Sequence, residues 1–463
     1  MPNLVKDLDA NIVKEFASQI RGSVILPSDS NYEESRKVYN AMIDKHPGII
    51  VKCVDVADVI YAVNFGRQNH LLVAVRGGGH NGGGLGLCND GLVIDLSCLK
   101  SIRVNTKDNT VRVGGGNLLG EVDHATHPFG LAVPAGIIST TGIGGLTLGG
   151  GVGHLSRKYG LSIDNLLEAD MVLADGTFVT VNDTQNANLF WAIRGGGGNF
   201  GIVTSFKFQA YPVKNVYGGP TLWPIEKAEE IMEWYHDFLN KAPDELNGFI
   251  AIMIIPGPPF PESLHNKQFC GIVWCYVGDL SKAEEVFRPI HAMNPVFAHV
   301  GEMPYPSMQT MFDGLFPPGL QWYWRADFFN ELGKEVCAKH LEFGSKIPTP
   351  LSQMHLYPVS GAAGRVAKDK TPWAYRDAKY AGVIVGVDPD PANANKITKW
   401  CKDYWEALHP FSSGGAYSNF MMDEGPDRVK ASYKHNYARL AKIKRQYDPN
   451  NFFSVNQNIF PAN

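Results

Sequence analysis

The sequence predicts an α+β protein of two lobes. Three observations carry that prediction. The chain has 463 residues, too many for one ordinary core. Its glycine clusters fall before Val213 and again after Ser412. Between them lies an aromatic-rich interval in which amphipathic helices alternate with strands. The expected division is 1–213 for a glycine-rich lobe, 214–411 for a second domain with a sheet covered by helices on one face, and 412–463 for a segment returning to the first lobe.

The elements follow in order. After a short helical start, IIVKCVDVADVIYAVNFGRQNHLLVAVRGGGHN gives strand, helix and strand, the last running into glycines. From Gly91 to Gly176 short β-runs (LVIDLS, SIRVN, TVRVGGG, DMVLADG) are broken by turns, with one helix over NLLGEVDHATHPFG. The middle holds the helices IEKAEEIMEWYHDFLNKA, LSKAEEVFRPIHAM and NANKITKWCKDYWEALH among the strands GFIAIMII, FCGIVWCYV, QWYWRADFF and AGVIVGV. GGAYSNFMMDEG, a helix and YDPNNFFSVNQNIF then restore the glycine and asparagine character of the first lobe.

Composition excludes several functions. A net charge of -4 and the lack of any Lys/Arg-rich run leave no field for a phosphate backbone, so nucleic acid is not an expected partner. Seven cysteines without a CxxC pair point to reduced thiols, with neither a disulfide framework nor a metal site. The segment MPNLVKDLDANIVKEFASQI has no apolar stretch, and no run of 18 apolar residues follows it; a cytoplasmic protein with no membrane association is expected.

Two segments match G-x-G-x-x-G: Gly77, Gly79, Gly82 and Gly196, Gly198, Gly201. A dinucleotide fingerprint needs a helix directly after it to receive the pyrophosphate. Here LVIDLS and IVTSFKF follow, both strand-like, which disfavours a nicotinamide site. The four glycine stretches 77–86, 114–116, 142–153 and 195–201 instead offer backbone N–H concavities that one diphosphate with an attached ring system could share.

At this point the sequence resembles a known family. RGGGHN after a strand, VIDLS, PAG followed by TTGIGGLTLGGGVGHLSRKYGLSIDNL, and NLFWAIRGGGGNFGIVT are similar to the FAD-binding domain of the berberine-bridge-enzyme-like oxidases, in the vanillyl-alcohol-oxidase (PCMH-type) superfamily. YSNFMMDEG and YDPNNFFSVNQNI resemble that family's closing segment. The matches span 47–212 and 414–459.

The resemblance implies an oxidase that moves a hydride from an alcohol, sugar or amine carbon to FAD, with molecular oxygen as acceptor. It implies that Arg76, Gly77, Gly78, Gly79, His80 and Asn81 surround pyrophosphate and flavin, with His80 bonded to the flavin 8α-methyl. Neutral imidazole is the chemically suited nucleophile for that methyl. Ser139, Thr140, Thr141, Gly142, Gly144, Gly145, Gly149, Gly150 and Gly153 would wrap the diphosphate side, Ile202 would meet the nucleotide or ring edge, and Tyr417, Asn419, Asn456 and Asn458 would line the flavin. Where many relatives carry a cysteine for a second covalent bond, this chain has Ile138, so a single link is implied. Thr141 replaces an aliphatic residue beside flavin C4a, which leaves a dehydrogenase using another acceptor open. A non-enzymatic flavin- or sugar-binding protein on the same fold is the reading from another class.

Plant relatives have a catalytic tyrosine where this chain has Phe420, so the group that handles the substrate proton is sought in the middle domain. Period-two reading of QWYWRADFF puts Gln321, Tyr323, Arg325 and Asp327 on one face, and Gln353, His355 and Tyr357 alternate with Met354 and Leu356. These polar faces are expected to form the substrate cavity, with His355, Tyr357 or Tyr323 acting on the proton. Oligomeric state is not fixed by the sequence.

Overall fold

The computed structural model describes residues 2–463; Met1, the first residue of the expected glycine-rich lobe, lies outside the described residues. The first sheet contains β1 (Ser23–Ile25), β2 (Ile49–Lys52), β3 (Val73–Arg76) and β4 (Leu92–Asp95), in the order β1-β2-β4-β3. β4 runs parallel to both neighbours, so β3 and β4 end side by side with Arg76 opposite Asp95. The helix Val56–Gln68 connects β2 to β3, and its N-cap Asp55 accepts from the Asp58 N–H. The RGGGHN loop therefore leaves the carboxyl edge of parallel strands, where open α/β sheets place their ligands. As expected from the strand-like sequence after each fingerprint, no helix follows Gly82, and Gly201 leads directly into a strand.

The second sheet is antiparallel. Along the chain come β5 (Ile102–Asn105), β6 (Thr110–Gly114), the two-residue β7 (Leu131–Ala132), β8 (Leu166–Val172), β9 (Phe178–Asn182), β10 (Ile202–Gln209) and β11 (Tyr211–Pro212). The sheet order is β5-β6-β10-β8-β9, and β7 pairs with β11.

The third sheet has eight strands: β12 (Asn215–Pro224), β13 (Leu246–Ile254), β14 (Gln268–Tyr276), β15 (Phe297–Ala298), β16 (Gly301–Pro304), β17 (Gln321–Phe329), β18 (Gln353–Pro358) and β19 (Tyr380–Asp388). Their order is β15-β12-β14-β13-β18-β19-β17, with β16 also on β12. Strand alternation sends Ile250, Ile252, Ile272, Trp274, Leu356 and Ile384 to one face, where they join Ile231 and Tyr235 of helix Ala228–Lys241, Val336 of Lys334–Gly344 and Trp400 of Ala394–Leu408 in one core. The opposite face, with Phe249, Val273, Trp322, Tyr357 and Val383, packs into the core of the glycine-rich lobe, against residues such as Phe206 and Val133. Antiparallel sheets commonly leave one face wet; this one is buried on both.

The C-terminal segment is tied to both lobes. Lys444, fully buried, donates to the Asn199 carbonyl (2.7 Å), the Phe453 carbonyl (3.0 Å) and the Asp448 carboxylate (2.7 Å). The Asn199 side chain accepts from the Ile459 N–H at 2.8 Å and donates to the Gln457 carbonyl at 3.1 Å. On the other side Arg428 and Glu424 meet Asp327 and Arg325 of β17.

Candidate active site

All four glycine stretches contribute to one cavity of about 390 Å³ between the first two sheets and the third. Glycine is obligatory where two of them meet. A Cβ on Gly78 would run into the Gly142 backbone, and one on Gly142 into the Gly78 backbone. Elsewhere the missing side chains leave room: a Cβ on Gly145 or Gly198 would meet nothing within 4 Å, and both residues line the cavity.

Arg76 braces this wall from behind. Its guanidinium pairs with Asp95 at 2.6 Å and donates to the carbonyls of Ser35 and Lys37, so its charge is spent on the scaffold. Asn81 closes the following turn by accepting from the Leu85 N–H at 3.0 Å. Among the described residues, the N–H groups of Gly78, Gly79, His80 and Asn81 reach no protein acceptor. A row of free N–H groups of this kind is able to receive an anion.

His80 stands on the cavity wall with its ring stacked on Tyr39, centroids 3.9 Å apart. Nε2 lies 3.0 Å from Thr140 Oγ1, which leaves Nδ1 free among the described residues. Burial pushes its pKa down to about 4, so the ring is neutral at physiological pH. Ile138 lines the same cavity.

Of the expected cofactor residues, Arg76 to Asn81, Thr141, Gly142, Gly144, Gly145, Gly149, Ile202, Tyr417, Asn419 and Asn456 line the cavity. Tyr417 accepts from the Gly151 N–H at 2.8 Å and from Asn419 Nδ2 at 2.7 Å, which fixes the closing segment on the third glycine stretch. Five stand behind the wall. Thr140 holds His80, and Ser139 holds Asp313. Gly150, at φ +143°, turns the chain beneath Trp373 and Tyr417, while Gly153 packs on the Ala135 carbonyl. Asn458 keeps a buried Oδ1 without a protein partner.

Across the cavity, β18 presents a hydrogen-bonded row. His355 Nε2 lies 2.8 Å from Gln353 Oε1, and Nδ1 lies 2.7 Å from the Tyr357 hydroxyl. An amide oxygen only accepts, so Nε2 carries the proton and Nδ1 accepts from Tyr357 O–H. Burial holds His355 neutral, its pKa pushed down to about 3, and raises that of Tyr357.

Tyr323 requires a correction. In register, Trp324 and Gln353 both oppose Val385 of β19, whereas Tyr323 opposes Gly386. Tyr323 therefore points to the helix side, where Cys401 and Lys402 cover it. Arg325 and Asp327 share that face, paired with Glu424 and Arg428. The cavity takes Trp322 and Trp324 instead. Their place on the alternate face was visible in the sequence; Tyr39 came from a segment with no motif to mark it.

Two family models match the chain: the FAD binding domain over residues 47–182, and the berberine and berberine-like segment over 416–460. An FAD-linked oxidoreductase of Dictyostelium discoideum is 33% identical across 97% of both chains. The chain belongs to the berberine-bridge-enzyme-like FAD-linked oxidoreductases. A further relative of this oxidoreductase, the (R)-6-hydroxynicotine oxidase of Paenarthrobacter nicotinovorans, is 28% identical over 96% of this chain and 97% of that one. The crystal structure of 6-hydroxy-D-nicotine oxidase from Arthrobacter nicotinovorans superposes with a TM-score of 0.86 at 26% identity, covering 96% of this chain and 98% of the other.

The oxidoreductase is an FAD enzyme, and its residues fit the cofactor. The free N–H row suits the diphosphate, and the open glycines leave space for a flat ring system beside His80. Among the described residues no helix is long and apolar enough to cross a membrane.

Proposed function

We propose that this enzyme is an oxidase of small molecules that removes a hydride from an alcohol, sugar or amine carbon and passes it to FAD held by one covalent bond from His80 Nδ1, with oxygen as final acceptor. The observation that carries this reading is the position of the Gln353–His355–Tyr357 row, which lines the same cavity as His80 and the glycine wall. FAD, when bound, supplies the hydride acceptor and, through oxygen, its own reoxidation.

The protein's own work is on the proton. With Tyr357 O–H donated to His355, a lone pair of the Tyr357 oxygen is left to accept the proton of a substrate hydroxyl, while the phenol proton moves onto His355 Nδ1. Gln353 keeps Nε2 protonated and so keeps Nδ1 available. The low basicity of His355 means that the row takes the proton only as the hydride leaves. Gly77, Gly78, Gly79, Gly142, Gly144, Gly145 and Gly149 are assigned to the cofactor wall, with Tyr417, Asn419 and Asn456 closing it.

The chain divides, on this reading, into a flavin lobe of 1–213 and 412–463 and a substrate domain of 214–411. The bonds from Asn199 to the Gln457–Ile459 stretch and from Gly151 to Tyr417 support that division. Seven free cysteines favour a reducing compartment, hence the cytoplasm.

Anaerobic mixing with substrate should bleach the flavin absorbance, and admission of air should restore it with release of peroxide. Thr141 on the cavity wall favours a second reading, a dehydrogenase. Bleaching followed by reoxidation only with an added electron acceptor would select it.

A further inference from the structure

We propose that the cavity selects a neutral, aromatic alcohol and rejects ammonium cations and oligosaccharides. This rests on the reading above, that substrate is oxidised beside the β18 row, and narrows it by charge and polarity.

The first observation is the absence of countercharge. Arg76 is the only charged residue lining the cavity among the described residues, and Asp95 neutralises it at 2.6 Å. The nearby acids are committed. Asp313 accepts from both the N–H and the hydroxyl of Ser139, and Glu424 is paired with Arg325 and Arg428. An ammonium group entering here leaves water and meets no carboxylate. His355, held neutral by the same dry surroundings, supplies no charge for an anion either.

The second observation is the chemistry of the wall. One row of rings lies beside the polar row on the sheet, and a second runs through it at Tyr357. Phe316, Trp322 and Trp324 follow one another at centroid distances of 5.7 and 6.1 Å. Phe312, Phe249, Tyr357 and Phe420 follow at 6.5, 5.0 and 5.4 Å. Val383 and Val385 of β19 lie between the rows. A flat ring can be covered by these surfaces, whereas the several hydroxyls of an oligosaccharide would lose their hydrogen bonds to water and find little on the ring rows besides the indole N–H groups of Trp322 and Trp324, which have no protein partner.

The third observation is how the polar row itself is spent. Gln353 Oε1 and both ring nitrogens of His355 are used within the row. Within the row, the acceptor lone pair of Tyr357 remains for a substrate proton, which matches one hydroxyl donor.

The test is isothermal titration calorimetry of the flavin-loaded enzyme with para-methylbenzyl alcohol, para-methylbenzylamine and cellobiose, each repeated as anaerobic flavin bleaching. At pH 7 the alcohol should bind about 100-fold more tightly than the amine, the size of effect an unpaired buried charge produces, and cellobiose should give no heat. The amine should gain about tenfold in affinity per pH unit up to its own pKa, because only its neutral form enters. Met253 lines the cavity and opposes Gln353 in register, so Met253→Glu supplies the missing carboxylate and should tighten the amine by at least about tenfold. Amine or cellobiose binding as tight as the alcohol in the unaltered enzyme would overturn the proposal, and so would an amine affinity independent of pH. Alcohol binding without bleaching would leave this selectivity standing while overturning the oxidation reading beneath it.

Discussion

His355 and Tyr357, two positions apart on one strand, share a 2.7 Å hydrogen bond whose direction is set by Gln353 on the other side of the imidazole. If that row handles the substrate proton, Tyr357→Phe should slow anaerobic flavin reduction by about 10²- to 10³-fold. His355→Ala should do the same, and the double variant should be no slower than the worse single one, since the two act as a unit. Reduction at the unaltered rate in Tyr357→Phe would remove the row from the mechanism.

Acid should destabilise the protein well before its carboxylates titrate. Burial pushes His154 down to about 4, and His340 and His355 down to about 3, against about 6.5 when unfolded. Between these limits the unfolded chain binds the extra protons, so stability is full above the unfolded value and falls as pH drops through it. Asp123 works the other way: burial raises it to about 7, so its contribution is greatest in acid and declines as pH rises through that value. From these four groups the net slope near pH 5 is about two protons, in favour of higher pH. Urea melts at pH 5 and pH 7 measure it directly; equal stability at the two would contradict the burial assigned to these histidines.

Trypsin should release Gly77–Lys100 as one peptide bearing FAD. That peptide contains Cys88 and Cys98 as well as His80, so fragmentation within it must place the adduct on the histidine. His80→Ala should lose flavin to acid, while Ile138→Cys restores the thiol whose absence implied a single link and is expected to permit a second attachment. An adduct on either native cysteine would refute the single histidyl bond.

Asp95→Asn should cost about 3–5 kcal/mol, because it strands the buried Arg76 guanidinium without its partner. Replacing both, as Arg76→Met with Asp95→Leu, should recover much of that loss in thermal melts. Flavin content should follow stability, since Arg76 anchors the start of the glycine loop.

Much of the glycine-rich lobe was legible because its motifs are short, local and glycine-dependent: RGGGHN and GIVT each declare a backbone close approach. The lining of the opposite wall was harder to read. Period two correctly paired Tyr323 with Arg325 and Asp327 as one face of β17, but alternation does not say which face looks inward. The usual guide, polar side toward water or ligand, failed because neither face is wet. Glu424 and Arg428, a hundred residues downstream, satisfy the charged face, and the cavity receives the tryptophans. On β18 the same guide succeeded, since the polar row satisfies itself. Tyr39 had no local signal, because its role exists only once Phe316 and His80 arrive from elsewhere.

Asn199 and Ile459 are joined across 260 residues of chain. A ribosome must therefore synthesise the whole middle segment before the residues that close on the glycine wall exist. The nascent first lobe, though its glycine loops are already made, lacks Tyr417, Asn419 and Asn456 during that interval. If those residues close on the cofactor as proposed, loading is a late event of biogenesis, and a bond at His80 would record that the chain had reached its closing segment.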